Sequence, residues 1–275
     1  MKKMMLMTIA VLMTVMFCLA GPVAADDINK QLAKSSTIDK IMRKGTLRVG
    51  LATFVPWAMQ DKKGEWIGFE VDVAKQLAED MGVKIEFVPT KWEGLIPSLL
   101  TGKFDLIIAG MTGTPQRALK INFTRPYDYN GMNVVAYKKL AGGATGYMDL
   151  DKKGNTILAR LGTTGAALAK ETYKNAKVRL FPDEGPMVQE LLNGKATAIL
   201  ATAPLPAQLA AKHPETLLFL DDNLMQQPIC MGVPKGDPDT ITYLNNWIVY
   251  VRNTGFIKKK ADYWWKSVEW EGLLK

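Results

Sequence analysis

The segment Gly110-Met111-Thr112-Gly113-Thr114-Pro115-Gln116-Arg117 concentrates more potential chemistry than any other stretch of this chain. Threonine is a favoured N-cap and proline a favoured first helical residue, so a helix is expected to begin at Pro115 with its first N–H groups free. Gly110 and Gly113 let backbone approach a ligand, and Arg117 offers a planar fork of donors. Such a set suits a carboxylate. The same letters also describe an ordinary capped helix with a surface arginine. A second segment, Gly162-Thr163-Thr164-Gly165, places small hydroxyl residues before another expected helix. It reads equally as an anion seat approached from the other side or as a plain glycine-containing turn. Phe54 and Trp92 fall on expected loops, where aromatic faces can sandwich an apolar or cationic part of a ligand. Trp57 and Trp66 read as core.

Catalysis has little support in the residues. His213 is the single histidine and precedes Pro214 in an expected loop, so it reads as a surface residue. No CxxC pair, phosphate loop, Ser/His/Asp arrangement or metal-ligand spacing occurs, so no metal and no cofactor are expected.

The elements that must position these groups recur in two passes. Residues 47–51 read as an apolar strand. Phe69 to Met81 has helical spacing and Gly82 stops it. Lys84 to Val88 alternates as a strand, Leu95 to Leu100 is a helix, and Asp105 to Ala109 a buried strand. In the second pass, Thr156 to Leu161, Lys177 to Phe181 and Ala196 to Ala201 read as strands. Ala166 to Asn175 and Met187 to Leu192 read as the helices between them. The echo is literal: Leu99-Leu100-Thr101-Gly102-Lys103-Phe104-Asp105 matches Leu191-Leu192-Asn193-Gly194-Lys195-Ala196-Thr197. Both passes imply a mostly parallel sheet covered by helices. Tyr129 to Tyr137 leads from the first lobe to the second, and Ile229 to Pro234 reads as a return strand before helices over 240–252 and 256–265. Two connections between two lobes make a hinge with a cleft, and ligands sit beyond the carboxyl ends of parallel strands.

The chain's start reads as an address. Lys2 and Lys3 precede an apolar run from Met4 to Ala20, and Val23-Ala24-Ala25 is a small-residue cleavage site. A cleaved export signal leaves Cys230 as the sole thiol, without an internal disulfide. The formal net charge of +8 is scattered among acids, with Lys258-Lys259-Lys260 the only basic triplet. A nucleic-acid partner would require that charge to be concentrated, so none is expected.

From about Thr46 to Trp265 the chain resembles the family 3 extracellular solute-binding proteins, the polar-amino-acid receptors of ABC importers. Gly68-Phe69-Glu70-Val71-Asp72-Val73-Ala74, the stretch from Trp92 to Asp105, Gly110 to Arg117, Phe123-Thr124-Arg125-Pro126-Tyr127 and Gly232-Val233-Pro234-Lys235-Gly236-Asp237 carry the resemblance. It implies a two-lobed α/β periplasmic-binding-protein fold of type II, each lobe a mostly parallel sheet flanked by helices, joined by two hinge crossovers. The expected division is a signal peptide over 1–25, a lead-in over 26–43, a first lobe over 44–132 and 232–275, and a second lobe over 133–231. The hinge segments are expected near 129–137 and 229–234. The implied partner is an inner-membrane ABC permease, for a monomer working in the periplasm. Arg117 is implied to bind a ligand α-carboxylate with Thr112 and Gly110, and Thr163 and Thr164 to complete the seat. Phe54 and Trp92 are implied to flank the ligand, with Arg160 near its side chain.

The family's pattern breaks at one strand end. Thr202 occupies the position of a usual aspartate that pairs with the ligand's α-ammonium, and Thr197 replaces another common aspartate. Leu51 also sits where some members carry an acidic contact. Either Asp183 or Glu184 compensates, or the ligand is an organic acid without an amine. An enzyme reading accompanies the binding one, since cyclohexadienyl dehydratases share the fold and add an acid, for which Glu184 or Asp128 is the candidate.

Overall fold

The computed structural model describes residues 36–274, so the expected signal peptide and most of the lead-in lie outside the described residues. Among those described, no helix is long and apolar enough to cross a membrane. The chain opens with α1 (Thr37–Lys44), whose entry is fixed by the distant carboxylate of Asp237 accepting from the Thr37 N–H at 2.7 Å.

The first sheet is built from β1 (Thr46–Leu51), β4 (Lys84–Pro89), β5 (Leu106–Ile107), β6 (Asn122–Phe123) and β12 (Gly232–Val233). Its spatial order is β4-β1-β5-β12-β6. A small hairpin of β2 (Met59–Gln60) and β3 (Trp66–Ile67) precedes α2 (Phe69–Asp80), and α3 (Leu95–Leu100) returns to β5. The second sheet uses β7 (Asp128–Tyr137), β8 (Thr156–Arg160), β9 (Lys177–Phe181), β10 (Ala198–Thr202) and β11 (Leu217–Ile229) in the order β11-β7-β10-β8-β9. Read from the opposite edge, the two orders are the same. In each sheet one strand, β12 or β7, runs against the rest. Apolar clusters cover both faces of each sheet, so each lobe has its own layered core.

The repeated letters become repeated geometry. α3 and α7 (Glu184–Leu192) both end on glycines in the left-handed region, Gly102 at φ 70° and Gly194 at φ 68°. The following lysine donates back to the helix in each, Lys103 to Ser98 at 3.0 Å and Lys195 to Glu190 at 3.1 Å. This is a Schellman ending, which satisfies carbonyls the helix leaves open. The next element also repeats. The Asp105 carboxylate accepts the Arg48 N–H at 3.0 Å, and the Thr197 hydroxyl accepts the Thr156 N–H at 3.0 Å. Thr197 therefore ties strands together in place of an aspartate and takes no part in the cleft.

Several element boundaries differ from those read in the sequence. The helix expected from Ala166 is α6 (Thr164–Thr172), because the Thr163 hydroxyl caps it by accepting from the Ala166 N–H at 3.1 Å. α7 starts at Glu184 rather than Met187, since Pro186 falls in the first turn, where no N–H is needed. The expected return strand over 229–234 is two pieces, the end of β11 and β12. The long pairing of β7 with β11, from Asp128↔Ile229 to Tyr137↔Leu217, and the helix α8 (Leu205–Lys212) had no counterpart in the sequence reading. That pairing forms the ribbon by which the chain leaves the first sheet and comes back to it, stitched by Tyr127 N–H to the Ile229 carbonyl at 3.0 Å.

Candidate functional site

Between the lobes lies a cavity whose interatomic space, including its mouth, is about 460 Å³. Phe54, Trp92, Gly110, Thr112 and Arg117 line it from the first lobe. Arg160, Thr163, Thr164 and Thr202 line it from the second. The structure thus brings all nine candidate residues to one wall-to-wall space. The wall also contains Gly165, Glu184, Met187, Leu200, Ala201 and Gln227. Of these the sequence points to Gly165, in the Gly162–Gly165 segment, and to Glu184, as a compensating acid or a proton donor.

The first-lobe wall follows from its backbone. Gly110 has φ 69°, and a Cβ there would meet the Trp57 ring at 3.0 Å, so both conformation and space demand glycine. Thr112 bridges to Ile229, which ties this loop to the ribbon. Thr114 caps the following helix, α4 (Pro115–Ala118), by accepting from the Arg117 N–H at 3.3 Å. α4 is a single turn, too short to sum a useful dipole. The attraction for an anion therefore rests on the Arg117 side chain. Its guanidinium donates to the Thr112 carbonyl at 2.9 Å and, across the cleft, to the Gly162 carbonyl at 3.0 Å. Desolvation lowers its pKa to about 10, and no acidic neighbour among the described residues offsets that cost.

Trp92 also reaches across the cleft from the first lobe. Its indole N–H donates to the same Gly162 carbonyl at 3.1 Å. Its ring lies 5.7 Å from the Arg117 guanidinium and 5.6 Å from that of Arg160, with Phe54 edge-on at 6.4 Å. Phe54 in turn stacks on Trp57 at 5.3 Å, so the core anchors one aromatic wall.

The second-lobe wall is polar but differently balanced. Arg160 donates to the Thr53 carbonyl at 2.9 Å across the cleft and to the Pro182 carbonyl at 3.4 Å. Burial lowers its pKa, while Glu184, Asp183 and Glu93 support its charge. Glu184 is pushed up to about 7 by desolvation, against the pull of Arg160 and a backbone contact from Val55. Asp183, the other compensating candidate, is exposed and lies outside the cavity, in a surface recess with Lys91 and Thr90. Asp128, considered as a proton donor, does not line the cavity either; it starts β7, near Arg252 and Trp265. The Thr163 side chain is occupied as the α6 cap and donates to the Arg160 carbonyl at 2.7 Å. Thr202 ends β10, half-buried, with a neutral hydroxyl at the wall.

Gln227 had no signal in the sequence beyond its place before Pro228. It is 2% exposed, on the ribbon strand β11. Its carbonyl oxygen accepts from the Thr112 hydroxyl of one lobe at 2.9 Å and from the Thr164 hydroxyl of the other. Its amide nitrogen has no protein partner. Only the pairing of β11 with β7 brings this residue to the cleft, and that pairing is not local.

The model of the bacterial extracellular solute-binding proteins, family 3, matches residues 47–267. The L-cystine-binding protein TcyJ of Escherichia coli strain K12 is 29% identical over 236 residues, 86% of this chain and 88% of its own. The cyclohexadienyl dehydratase of Pseudomonas aeruginosa is 26% identical over 239 residues, 84% of this chain and 87% of its own. Among solved structures, a putative ABC-transporter binding component from Wolinella succinogenes complexed with lysine is 39% identical. It covers 83% of this chain and 99% of its own, with a TM-score of 0.79.

Proposed function

The chain belongs to the bacterial extracellular solute-binding proteins, family 3, and from that premise we propose that it captures a small carboxylate, in the first instance an amino acid, between its lobes and delivers it to an inner-membrane ABC permease. One observation carries the reading. Arg117 is a desolvated cation on the cavity wall whose hydrogen bonds go to two carbonyls and on which no acid acts among the described residues. A charge taken from water without a counter-ion is costly, and a ligand carboxylate supplies the missing one. Arg160 already has Glu184 beside it, so the two arginines are not equivalent. In this reading the lobes are those set out from the sequence, the ribbon is the hinge, and Gly110 borders the carboxylate seat. The Thr112 and Thr164 hydroxyls, both donated to Gln227, brace its wall rather than bind the carboxylate themselves. Phe54 and Trp92 flank the ligand, and Thr202 faces its α-substituent. The protein works as a monomer in the periplasm after cleavage following Ala25, and breaks no bond in its ligand.

The test is a thermal-shift and calorimetric screen with L-lysine, L-cystine, L-arginine, L-histidine, pyruvate and 2-oxoglutarate. A binder at 100 times its Kd adds about 2.7 kcal/mol of stability. At least one member is expected to bind; a flat response to all of them overturns the proposal.

Glu184 favours a second reading. A carboxyl held near 7 inside the cavity is a competent proton donor to a leaving hydroxyl, as a dehydratase requires. Incubation with prephenate or arogenate and detection of an aromatic product would establish it; no product leaves binding without chemistry.

A further inference from the structure

We propose that Gln227 is a ligand-binding residue that couples the ligand's carboxylate to closure of the lobes. The inference rests on the carboxylate-binding reading above and adds to it a residue on neither lobe's loops. Three observations meet at this side chain. It is almost fully buried yet lines the cavity. Its amide oxygen is filled by two hydroxyl donors, Thr112 from the first lobe and Thr164 from the second. Its amide nitrogen, which carries two N–H donors, is left without a partner.

A buried donor without an acceptor is rare in a native fold and costs free energy for as long as it stays unpaired. The neighbours explain where its acceptor comes from. Arg117 donates to the Thr112 carbonyl, so the guanidinium and the amide are linked through one residue. An acceptor held by Arg117 beside Thr112 is therefore placed to take the amide N–H as well. A carboxylate has four lone-pair sites and satisfies both donors, whereas an ammonium has none to offer. The amide oxygen gathers one hydroxyl from each lobe, Thr112 on a loop tied to the ribbon and Thr164 at the start of α6, so the amide joins the two lobes at this point. Ligand bound at the nitrogen holds the amide in the orientation that keeps both hydroxyls. Gln227 lies on β11, the strand that runs the length of the ribbon, so the contact sits at the axis of the motion rather than at its rim.

The experiment compares wild type with Gln227→Glu and Gln227→Leu, using the L-amino acids and 2-oxo acids of the screen above as probes. The glutamate is nearly isosteric and still accepts both hydroxyls, but it presents a carboxylate where wild type donates. Calorimetry should show its affinity for the best wild-type probe falling by about tenfold or more, and a comparable loss for the leucine. Unfolding curves without probe show whether each variant folds. Should either fail to fold, the side-chain amide signal of Gln227 in wild-type NMR spectra serves instead. It should shift and gain protection from exchange on adding the probe. Affinity within twofold of wild type in Gln227→Glu, or an amide signal indifferent to a saturating probe, overturns the inference and leaves the proposed function intact. Failure of wild type to bind any probe overturns both.

Discussion

The Arg160 guanidinium of the second lobe donates to the backbone carbonyl of Thr53 in the first, at 2.9 Å. Arg117 makes the reciprocal reach, from the first lobe to the Gly162 carbonyl at 3.0 Å. Both cations thus reach across the cleft to neutral acceptors, but only Arg160 has acids, Glu184 foremost, to support its charge; Arg117 has none acting on it among the described residues. On the proposed reading, the uncompensated charge of Arg117 is what a ligand carboxylate balances.

Arg117→Met is expected to remove binding while leaving the fold intact, because the side chain sits on the cavity wall and outside both cores. Truncating one partner of a desolvated charge pair costs about 2–5 kcal/mol, or roughly 1.5 to 3.5 decades in Kd. Wild-type affinity in the variant, measured by calorimetry, would remove Arg117 from the site.

Rotation about the β7–β11 ribbon is expected to open the cleft, and ligand to close it. The cross-cleft bonds of Arg160, Arg117 and Trp92 are few and hydrogen-bonded only to carbonyls, so they are a weak lock by themselves. Small-angle scattering should show the saturated protein more compact than the empty one. Arg160→Gln should widen the difference by favouring the open form. Superimposable curves with and without ligand would argue against a hinge.

The local grammar of the chain was legible in its letters. The matched helix endings at Gly102 and Gly194, the cap at Thr114 and the three parallel strands of each pass are all set by neighbours in sequence. The cavity wall was legible where a loop announces itself by glycine, threonine and arginine. Gln227 was not, because its role comes from a pairing between β7 and β11 nearly a hundred residues apart and from an irregularity between Leu220 and Met225 that no local pattern encodes. Glu184 and Asp183 were indistinguishable as letters. The start of α7 separates them, turning one to the cavity and leaving the other exposed.

Ligand binding should depend on pH through Glu184, whose carboxyl is raised to about 7 mainly by desolvation. If the ligand carries an ammonium that pairs with it, binding favours the ionised form, so affinity rises as pH climbs through about 7. An amine-free carboxylate prefers the neutral form, and its affinity falls over the same range. Glu184→Gln should flatten either profile. A wild-type profile that is level between pH 6 and 8, and unchanged in the variant, would show that Glu184 does not sense the ligand.

Thr202→Asp tests the departure at the end of β10. A threonine hydroxyl accepts a hydrogen bond but leaves an ammonium's charge uncompensated. The aspartate is expected to shift preference from 2-oxo acids toward α-amino acids by at least about one decade, since pairing a desolvated charge is worth more than about 1.4 kcal/mol. Competition between matched amino and oxo acids measures the shift. If the ratio of affinities stays put while Glu184→Gln abolishes amino-acid binding, Glu184 and not position 202 holds the ammonium.

The wall behind Gly110 carries a second titration, which acts on stability. Glu70 is fully buried and accepts from the Tyr127 hydroxyl at 2.5 Å, while its other oxygen has no hydrogen-bond partner. Burial outweighs the pull of the Tyr127 contact and of the nearby Gly110 backbone and pushes its carboxyl up to about 8, with Asp128 adding to the rise. A carboxyl raised in the folded state binds its proton more tightly there than in the unfolded chain. Stability from this group is therefore complete at pH below the ordinary carboxylate value and is lost as pH rises toward and through about 8. Glu70→Gln keeps an acceptor for Tyr127 but has no proton to lose. In ligand-free unfolding experiments the two proteins should agree within about 1 kcal/mol at pH 5, and the glutamine variant should be the more stable at pH 9 by a few kcal/mol. A constant difference across that range would mean that Glu70 enters the fold already ionised, and that the Tyr127 contact offsets its burial.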